Sequence, residues 1–145
     1  MPETFDTENL SERLARLGAF ADVFAADGFR FAEMRGGNET EPGVFQMPWS
    51  ELGEQAMAFH QLCYDDGWVV PFDWGSWKDT PEAIGLRDEP DTLSKATPEQ
   101  LSKLLTTLVR QERFCEGSLQ DAFETGLLTG IVKRAKALSE ETGNA

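Results

Sequence analysis

Two arginines stand one helical turn apart in an acidic chain, and their spacing raises the question of an anion-binding site. Arg110 and Arg113 are followed at once by Phe114. Residues at i and i+3 share one flank of a helix, and the planar guanidinium group binds phosphate or carboxylate through parallel hydrogen bonds. The same cations at a helix end can instead offset the helix dipole and pair with carboxylates such as Glu116. The sequence favours this second interpretation, a clamp between two helices, and leaves the anion site open.

Three tryptophans fall within ten residues of one another and form a second candidate for recognition. Trp68, Trp74 and Trp77 lie in an apolar stretch that Pro71 interrupts. A rigid aromatic segment can anchor a binding partner, although the same rings can equally fill the core of a small domain. The sequence favours the core for most of these rings and predicts that Trp77, beside Lys78, is exposed. The alternative site, a ligand pocket, would combine Trp68, Arg110, Arg113 and Glu116.

The histidine and cysteine content argues against catalysis and metal binding. His60 is the only histidine, and Cys63 lies three residues after it on the same predicted helix face. A cysteine–histidine pair needs an orienting acid, and zinc needs more such ligands than the chain provides. The sequence also lacks a glycine-rich phosphate loop and a calcium loop. We therefore predict a non-enzymatic protein without a cofactor or a metal, in which Cys63 and Cys115 are packing residues with free thiols.

The charge of the chain is strongly negative and is concentrated in its middle. The formal net charge is −13. Residues 36–91 contain twelve acidic side chains against two basic ones, whereas residues 92–145 contain seven of each. Direct binding to nucleic acid or to an anionic membrane surface requires clustered lysine and arginine and is therefore disfavoured. A basic protein partner would be attracted by the acidic middle, although the charge can also serve solubility alone.

The carboxylates and tryptophans of residues 65–91, the acidic segment, are the predicted partner-binding surface. We expect a protein-binding inhibitor whose acidic surface imitates the charge of nucleic acid and occupies the basic groove of a nucleic-acid-binding protein. Small acidic anti-defence proteins, anti-CRISPR proteins among them, often lack catalytic motifs in the same way. The residues of the predicted surface are Asp65, Asp66, Asp73, Trp74, Trp77, Asp79, Glu82, Asp88, Glu89 and Asp91.

The elements that would position these residues are mainly helical. Apolar residues spaced by three and four predict a first helix that Thr7 caps. The stretches FRFAEM and VFQMP predict two short strands that pair as a hairpin. A second helix is expected from a cap at Ser50 to Asp66-Gly67, and residues 78–96 are expected to form a surface loop with at most one helical turn.

The clearest helix start in the chain lies in its C-terminal half. Thr97 and Gln100 have the spacing of a capping box ahead of a leucine-rich stripe. A further helix is expected to begin at a Ser118 cap. Within it, Gly126 and Gly130 would bend the helix or let another element approach closely.

Length and composition predict a single mainly α domain over residues 1–145, with an α+β fold as the alternative. We expect four or five helices around one core with at most a small β-hairpin, and disordered ends at residues 1–6 and 139–145. The sequence shows no secretory signal and no apolar run near the ~20 residues of a membrane helix, which predicts a cytoplasmic protein. A further alternative is a self-associating domain, a homodimer for example, with Leu101–Leu108 as its interface.

Residues 105–138, LTTLVRQERFCEGSLQDAFETGLLTGIVKRAKAL, resemble the C-terminal signature of a family of small, uncharacterised bacterial proteins. In that family an Arg-x-x-Arg-Phe-x-x-Gly element follows a leucine-rich helix and precedes a helix with a central glycine. The segment DDGWVVPFDWGSW is similar to the tryptophan-containing segment of the same family. The resemblance implies a mainly helical cytosolic domain and implies no activity. The matching positions are Arg110, Arg113, Phe114, Gly117, Phe123 and Gly126.

Overall fold

Nine helices and four short strands make up the part of the chain that the structure describes, residues 5, 7–114 and 117–143. The structure is a computed structural model of the chain. The mainly helical class with a little β structure agrees with the prediction. The number of helices exceeds the four or five expected, because two expected helices are divided, prolines start two others, and Asp73 caps the additional single turn Trp74–Trp77. The helices are α1 (Leu10–Gly18), α2 (Phe20–Ala25), α3 (Glu54–Asp65), α4 (Trp74–Trp77), α5 (Pro81–Asp88), α6 (Pro90–Leu93), α7 (Pro98–Glu112), α8 (Ser118–Glu124) and α9 (Leu127–Gly143).

The first predicted helix is divided into α1 and α2 at Ala19. Its N-cap residue is Asn9, in the left-handed conformation with φ 55°, so the predicted Thr7 cap is wrong. The last residue of α1, Gly18, packs against the backbone of α9. A Cβ atom at Gly18 would lie 2.6 Å from Cα of Lys136, so only glycine permits this approach without a shift.

The strands form two antiparallel pairs, and the predicted partner in the hairpin is wrong. Residues 44 and 45 pair with residues 39–41 across a tight turn, where Gly43 has φ 82°. This inner hairpin leaves the strand that begins at Ala32 to pair with a later strand, with Ala32 opposite Leu52. The strands are β1 (Ala32–Arg35), β2 (Glu39–Glu41), β3 (Val44–Phe45) and β4 (Trp49–Leu52).

The second predicted helix, α3, begins later than expected. Ser50 belongs to strand β4 and is not a cap, and Gly53 occupies the N-cap position instead. The backbone N–H of Gly53 donates to the carbonyl of Phe31, which holds the helix start against the sheet. The helix ends at Asp66 and Gly67 as predicted, with Gly67 at φ 73°.

Most of the predicted loop over residues 78–96 is helical. The hydroxyl of Thr80 accepts a hydrogen bond from the backbone N–H of Ala83 at 3.2 Å and caps α5. Pro81 and Pro90 occupy the first turns of α5 and α6. The prolines that indicated a loop therefore start helices, a position where the missing N–H costs nothing.

Helix α7 has the predicted capping box and buries its leucine stripe. The backbone N–H of Gln100 donates to the Thr97 hydroxyl at 3.1 Å, and the backbone N–H of Thr97 donates to the Gln100 side chain at 2.9 Å. The apolar side chains of the stripe are buried within the chain itself, so they do not form the exposed interface suggested for self-association. The buried stripe is Leu101, Leu104, Leu105, Leu108 and Val109.

Three glycines shape the C-terminal helices in different ways. Helix α8 begins at Ser118 with Gly117 as its N-cap, and Gly126, at φ 89°, separates α8 from α9. A Cβ atom at Gly130 would lie 2.5 Å from Cδ2 of Leu93, which confirms the predicted close approach of another element, here α6. Helix α9 continues to Gly143, although disorder was expected from residue 139. No helix in the described ranges is long and apolar enough to cross a bilayer.

An aromatic cluster around Phe24 joins the N-terminal helices to the segment before β1, to α3 and to α8. Burial of such a ring contributes about 1.5–3 kcal/mol, so this cluster is a major part of the core. The rings whose centroids lie 5.4–5.9 Å from that of Phe24 belong to Phe20, Phe29, Phe31, Phe59 and Phe123.

Candidate functional site

Two small polar residues of α7 hold residues 68–77, the tryptophan segment, in place. The Ser102 hydroxyl donates to the carbonyl of Trp68 at 2.7 Å. The Thr106 hydroxyl donates to the same carbonyl at 3.1 Å and accepts from the backbone N–H of Val70 at 3.0 Å. Both hydroxyl-bearing residues are fully buried. Because these bonds fix residues 68–70 against α7, the chain that follows them lies beside the end of that helix.

This arrangement creates a recess that brings together the two motifs singled out in the sequence. Its volume is about 380 Å³. The rings of Trp74 and Phe114 stack across it, with centroids 6.4 Å apart and planes inclined by 29°. Phe114 is 78% exposed. We call the site the aromatic–arginine recess; its lining is Val70, Pro71, Phe72, Trp74, Arg110, Arg113 and Phe114.

Within the described part of the chain, the arginines of the recess do not form the predicted clamp. Across the described residues, neither Arg110 nor Arg113 makes a hydrogen bond or an ion pair. The connection between α7 and α8 is made by Glu112, whose carboxylate accepts from the backbone N–H groups of Gly117 at 3.3 Å and Leu119 at 2.9 Å. The predicted partner Glu116 lies outside the described residues.

Trp68, assigned to the alternative ligand pocket, is in the core and does not line the recess. Its side chain is fully buried, with the Arg13 guanidinium 5.1 Å from the ring centroid. Arg13 also donates from Nε to the carbonyl of Asp66 at 2.7 Å. Trp74 lines the recess in the place predicted for Trp68, while the hydroxyls of α7 bond the backbone carbonyl of Trp68.

Trp77 is buried, and its predicted exposure is wrong. Only 9% of the residue is accessible, and its Nε1 donates to the carboxylate of Glu82 at 2.9 Å. The other oxygen of that carboxylate accepts from Gln100 at 2.9 Å. The Lys103 ammonium lies 6.0 Å from the Trp77 ring centroid. Trp77 and Glu82 therefore tie α4 and α5 to α7, while Trp74 is the partly exposed ring.

The carboxylates of the acidic segment do not share one environment. Asp66 accepts from Arg16 at 2.7 Å, a hydrogen bond that raises the pKa of Arg16. Asp73 caps α4 by accepting from the backbone N–H of Ser76 at 3.2 Å. Asp65 and Asp79 are exposed, and each accepts a hydrogen bond from a neighbouring side chain.

Three acids at the junction of α5 and α6 differ from the others, and we call them the acidic corner. All three are exposed, and among the described residues their side chains make no hydrogen bond or ion pair. The structure thus leaves one compact group of free carboxylates in the acidic segment. The acidic corner consists of Asp88, Glu89 and Asp91.

The environment of Cys63 fits the predicted packing role. The side chain is fully buried, and burial together with the charge of Asp66 raises the pKa of its thiol well above the ordinary range. A thiol in such surroundings stays protonated and is a poor nucleophile. His60 is partly buried, and its ring centroid lies 5.5 Å from that of Tyr64. Cys115 lies outside the described residues.

Comparison with known proteins places most of the chain in one family. No functionally curated protein and no solved structure shows significant similarity to the chain. Residues 9–141 match the profile of a family of unknown function, DUF6508, and this range includes the acidic segment and the aromatic–arginine recess. The chain therefore belongs to this family of unknown function.

Proposed function

We propose that the protein binds, without chemical conversion, a ligand that carries an anionic group on a flat apolar body, and that its site is the aromatic–arginine recess. The observation that carries this proposal is that Arg110 and Arg113 have no partner among the described residues although the chain carries a net charge of −13. In an acidic protein, two arginines without a carboxylate partner in the described part of the chain, beside an aromatic pair, are suited to an anion supplied by a ligand.

The lining of the recess supports binding of such a ligand. The stacked rings of Trp74 and Phe114 offer apolar faces, and the two guanidiniums offer charge-assisted donors. The described lining contains no histidine, cysteine or carboxylate that could act as a general base or nucleophile. The volume of about 380 Å³ falls within the range of small-molecule sites.

A pair of dyes that share their rings but differ in charge tests this function. The anionic dye is 8-anilinonaphthalene-1-sulfonate, and its neutral counterpart is N-phenyl-1-naphthylamine. The double variant Arg110→Gln/Arg113→Gln should weaken binding of the anionic dye by about tenfold or more, since a lost charge-assisted hydrogen bond costs about 1.5–3 kcal/mol. Binding of the neutral dye should change by no more than about twofold, because the rings remain.

A matched double variant controls for the loss of positive charge. Arg30→Gln/Lys95→Gln removes the same charge from exposed residues that do not line the recess. It should leave dye binding at the recess unchanged. Binding at the recess is measured as energy transfer from Trp74 to the dye, which is the part of the transfer signal that is lost in Trp74→Phe. Equal losses for the two double variants would show that overall charge, and not the recess, governs binding.

The acidic corner favours a second candidate, the protein-binding inhibitor predicted from composition. Its carboxylates are exposed and lack partners among the described residues, so they are available to a basic surface. In this proposal the corner, together with exposed Asp65 and Asp79, imitates nucleic-acid charge and occupies the basic groove of a nucleic-acid-binding protein, as small anti-CRISPR-type inhibitors would. Buried Trp77 does not anchor this contact, so Trp74 is the aromatic residue that remains for it.

Two triple variants of equal charge test the inhibitor proposal with protamine as a basic probe. The first, Asp88→Asn/Glu89→Gln/Asp91→Asn, neutralises the acidic corner. The second neutralises three exposed acids outside the acidic segment: Glu99→Gln, Glu140→Gln and Glu141→Gln. We expect the first to weaken binding clearly more than the second, and wild-type affinity to fall steeply with salt above about 0.1 M. Equal effects of the two variants, or salt-insensitive binding, would contradict a charge mimic.

We also propose that the Arg-x-x-Arg-Phe-x-x-Gly element is a shared feature of bacterial members of the family because it builds the recess. Family members that keep both arginines should then also keep an aromatic residue at the position of Trp74, which lies outside the element. Sequencing or alignment of relatives provides the test. If the residue at the position of Trp74 varies independently of the two arginines, the proposal that the signature is kept because it builds the recess is wrong.

A further inference from the structure

A second cavity, with no lining residue in common with the aromatic–arginine recess, lies between α5, α6 and α9. Its volume is about 290 Å³. Its apolar wall includes Leu86, Leu93 and Leu127, which are largely buried in the core. Three basic residues also line the cavity: Arg87, Lys133 and Arg134.

The wall of the cavity is held in place by contacts that do not depend on a ligand. Leu93 lies against Gly130 so closely that an added Cβ atom would be 2.5 Å from its Cδ2. Arg134 donates from Nε to the carbonyl of Ala96 at 2.8 Å, which ties α9 to the end of α6. Such a cavity does not have to be assembled when a ligand arrives, so little ordering cost opposes binding.

The charges at the cavity are positive in a protein that is acidic as a whole. Among the described residues, Arg87 and Lys133 make no hydrogen bond or ion pair. The acids of the neighbouring acidic corner are exposed and are not part of the lining. An apolar wall next to unpaired cations is complementary to a molecule with a hydrocarbon part and one carboxylate.

We propose that this cavity binds a free medium-chain carboxylic acid, with the hydrocarbon chain against the three leucines and the carboxylate at Arg87 and Lys133. The volume of about 290 Å³ is at the lower limit for small-molecule sites, which fits one short chain and not a membrane lipid. The proposal does not depend on the function of the aromatic–arginine recess, because the two sites have separate linings.

Titration of the wild-type protein with octanoate, followed by NMR and calorimetry, tests the site directly. We expect shifts of the Leu93 and Leu127 methyl signals and binding of one equivalent. Hexanoate, which is two methylenes shorter, should bind about 15-fold more weakly. 1-Octanol should bind at least about tenfold more weakly than octanoate, because it lacks the charge. Absence of methyl shifts at millimolar octanoate, or equal affinity for octanoate and octanol, would overturn the proposal.

Two substitutions that remove the same charge distinguish binding in the cavity from general electrostatic attraction of octanoate to the protein. Lys133→Gln should weaken octanoate about tenfold without changing octanol, whereas Lys136→Gln, on the same helix but outside the lining, should change neither. Equal losses in both variants would contradict the site. Phosphatidylglycerol vesicles should not compete with octanoate, and competition that depends on Lys133 would show a lipid surface as the true ligand.

Discussion

The hydrogen bonds of Thr106 make a quantitative prediction about how the tryptophan segment is held. Its hydroxyl is buried and serves both Trp68 and Val70, at 3.1 Å and 3.0 Å. Thr106→Val keeps the shape of the side chain but leaves the backbone N–H of Val70 without this acceptor. An unsatisfied buried donor costs about 1–3 kcal/mol, so we expect the free energy of unfolding to fall by about 2 kcal/mol.

Two neighbouring substitutions calibrate this value. In Ser102→Ala the carbonyl of Trp68 keeps its bond from Thr106, so the loss should be about 1 kcal/mol. Thr107→Val makes the same chemical change as Thr106→Val one residue later, where the hydroxyl only donates to the carbonyl of Lys103 within its own helix. That bond is local and adds little to stability, so Thr107→Val should cost less than about 1 kcal/mol.

Urea denaturation measures the three free energies, and a double variant tests their origin. In Ser102→Ala combined with Thr106→Val, the carbonyl of Trp68 loses both donors, so the combined loss should exceed the sum of the single losses. Thr106→Val should also weaken dye binding at the aromatic–arginine recess, since it loosens the segment that carries Trp74. Equal costs for Thr106→Val and Thr107→Val would refute the view that α7 positions this segment.

Two further predictions concern packing and pH. Gly18→Ala places a Cβ atom 2.6 Å from Cα of Lys136 and should lower the unfolding free energy by about 1–3 kcal/mol, whereas Gly75→Ala, whose nearest atom is 3.8 Å away, should cost less in the same urea titration. The raised pKa of Cys63 means that only the unfolded state loses this proton as pH rises above about 8.5. Wild type should therefore lose about 2 kcal/mol relative to Cys63→Ala between pH 8 and pH 10 in urea denaturation, with a slope that approaches about 1.4 kcal/mol per pH unit at the upper end, and parallel curves would contradict this.

Local interactions explain which elements could be predicted from the sequence. The start of α7 was predicted because both hydrogen bonds of its capping box join Thr97 and Gln100, which are three residues apart. The end of α3 at Gly67 was predicted for a similar reason, since a left-handed turn at glycine is a property of a few residues. The buried stripe of α7 follows from periodicity alone.

Long-range contacts explain the predictions that were wrong. The division between α1 and α2 accompanies the close approach of α9, more than a hundred residues later in the chain, to Gly18. Pairing of β1 with β4, and not with β3, depends on the inner hairpin that Gly43 closes. The intrinsic helix and strand propensities of these residues predict neither the division of the helix nor the partner of β1, because tertiary packing decides both.

The candidate site was predicted in parts but not as a whole. The arginine pair and the tryptophan cluster were each identified, yet the residue that joins them is Trp74, and the sequence assigned that role to Trp68. A usable signal was present in the polar residues Ser102 and Thr106. They stand four apart within a leucine stripe, so they had to face the core and find buried backbone partners there.

The contact between Gly18 and α9 has a consequence for how the chain folds during synthesis. Helix α1 is made early, but the surface on which it packs belongs to residues 127–143. At about 5–20 residues per second, the ribosome needs on the order of ten seconds to produce the intervening chain. Throughout that interval the apolar face of α1 lacks its native partner, so it is a natural binding site for a chaperone on the nascent chain.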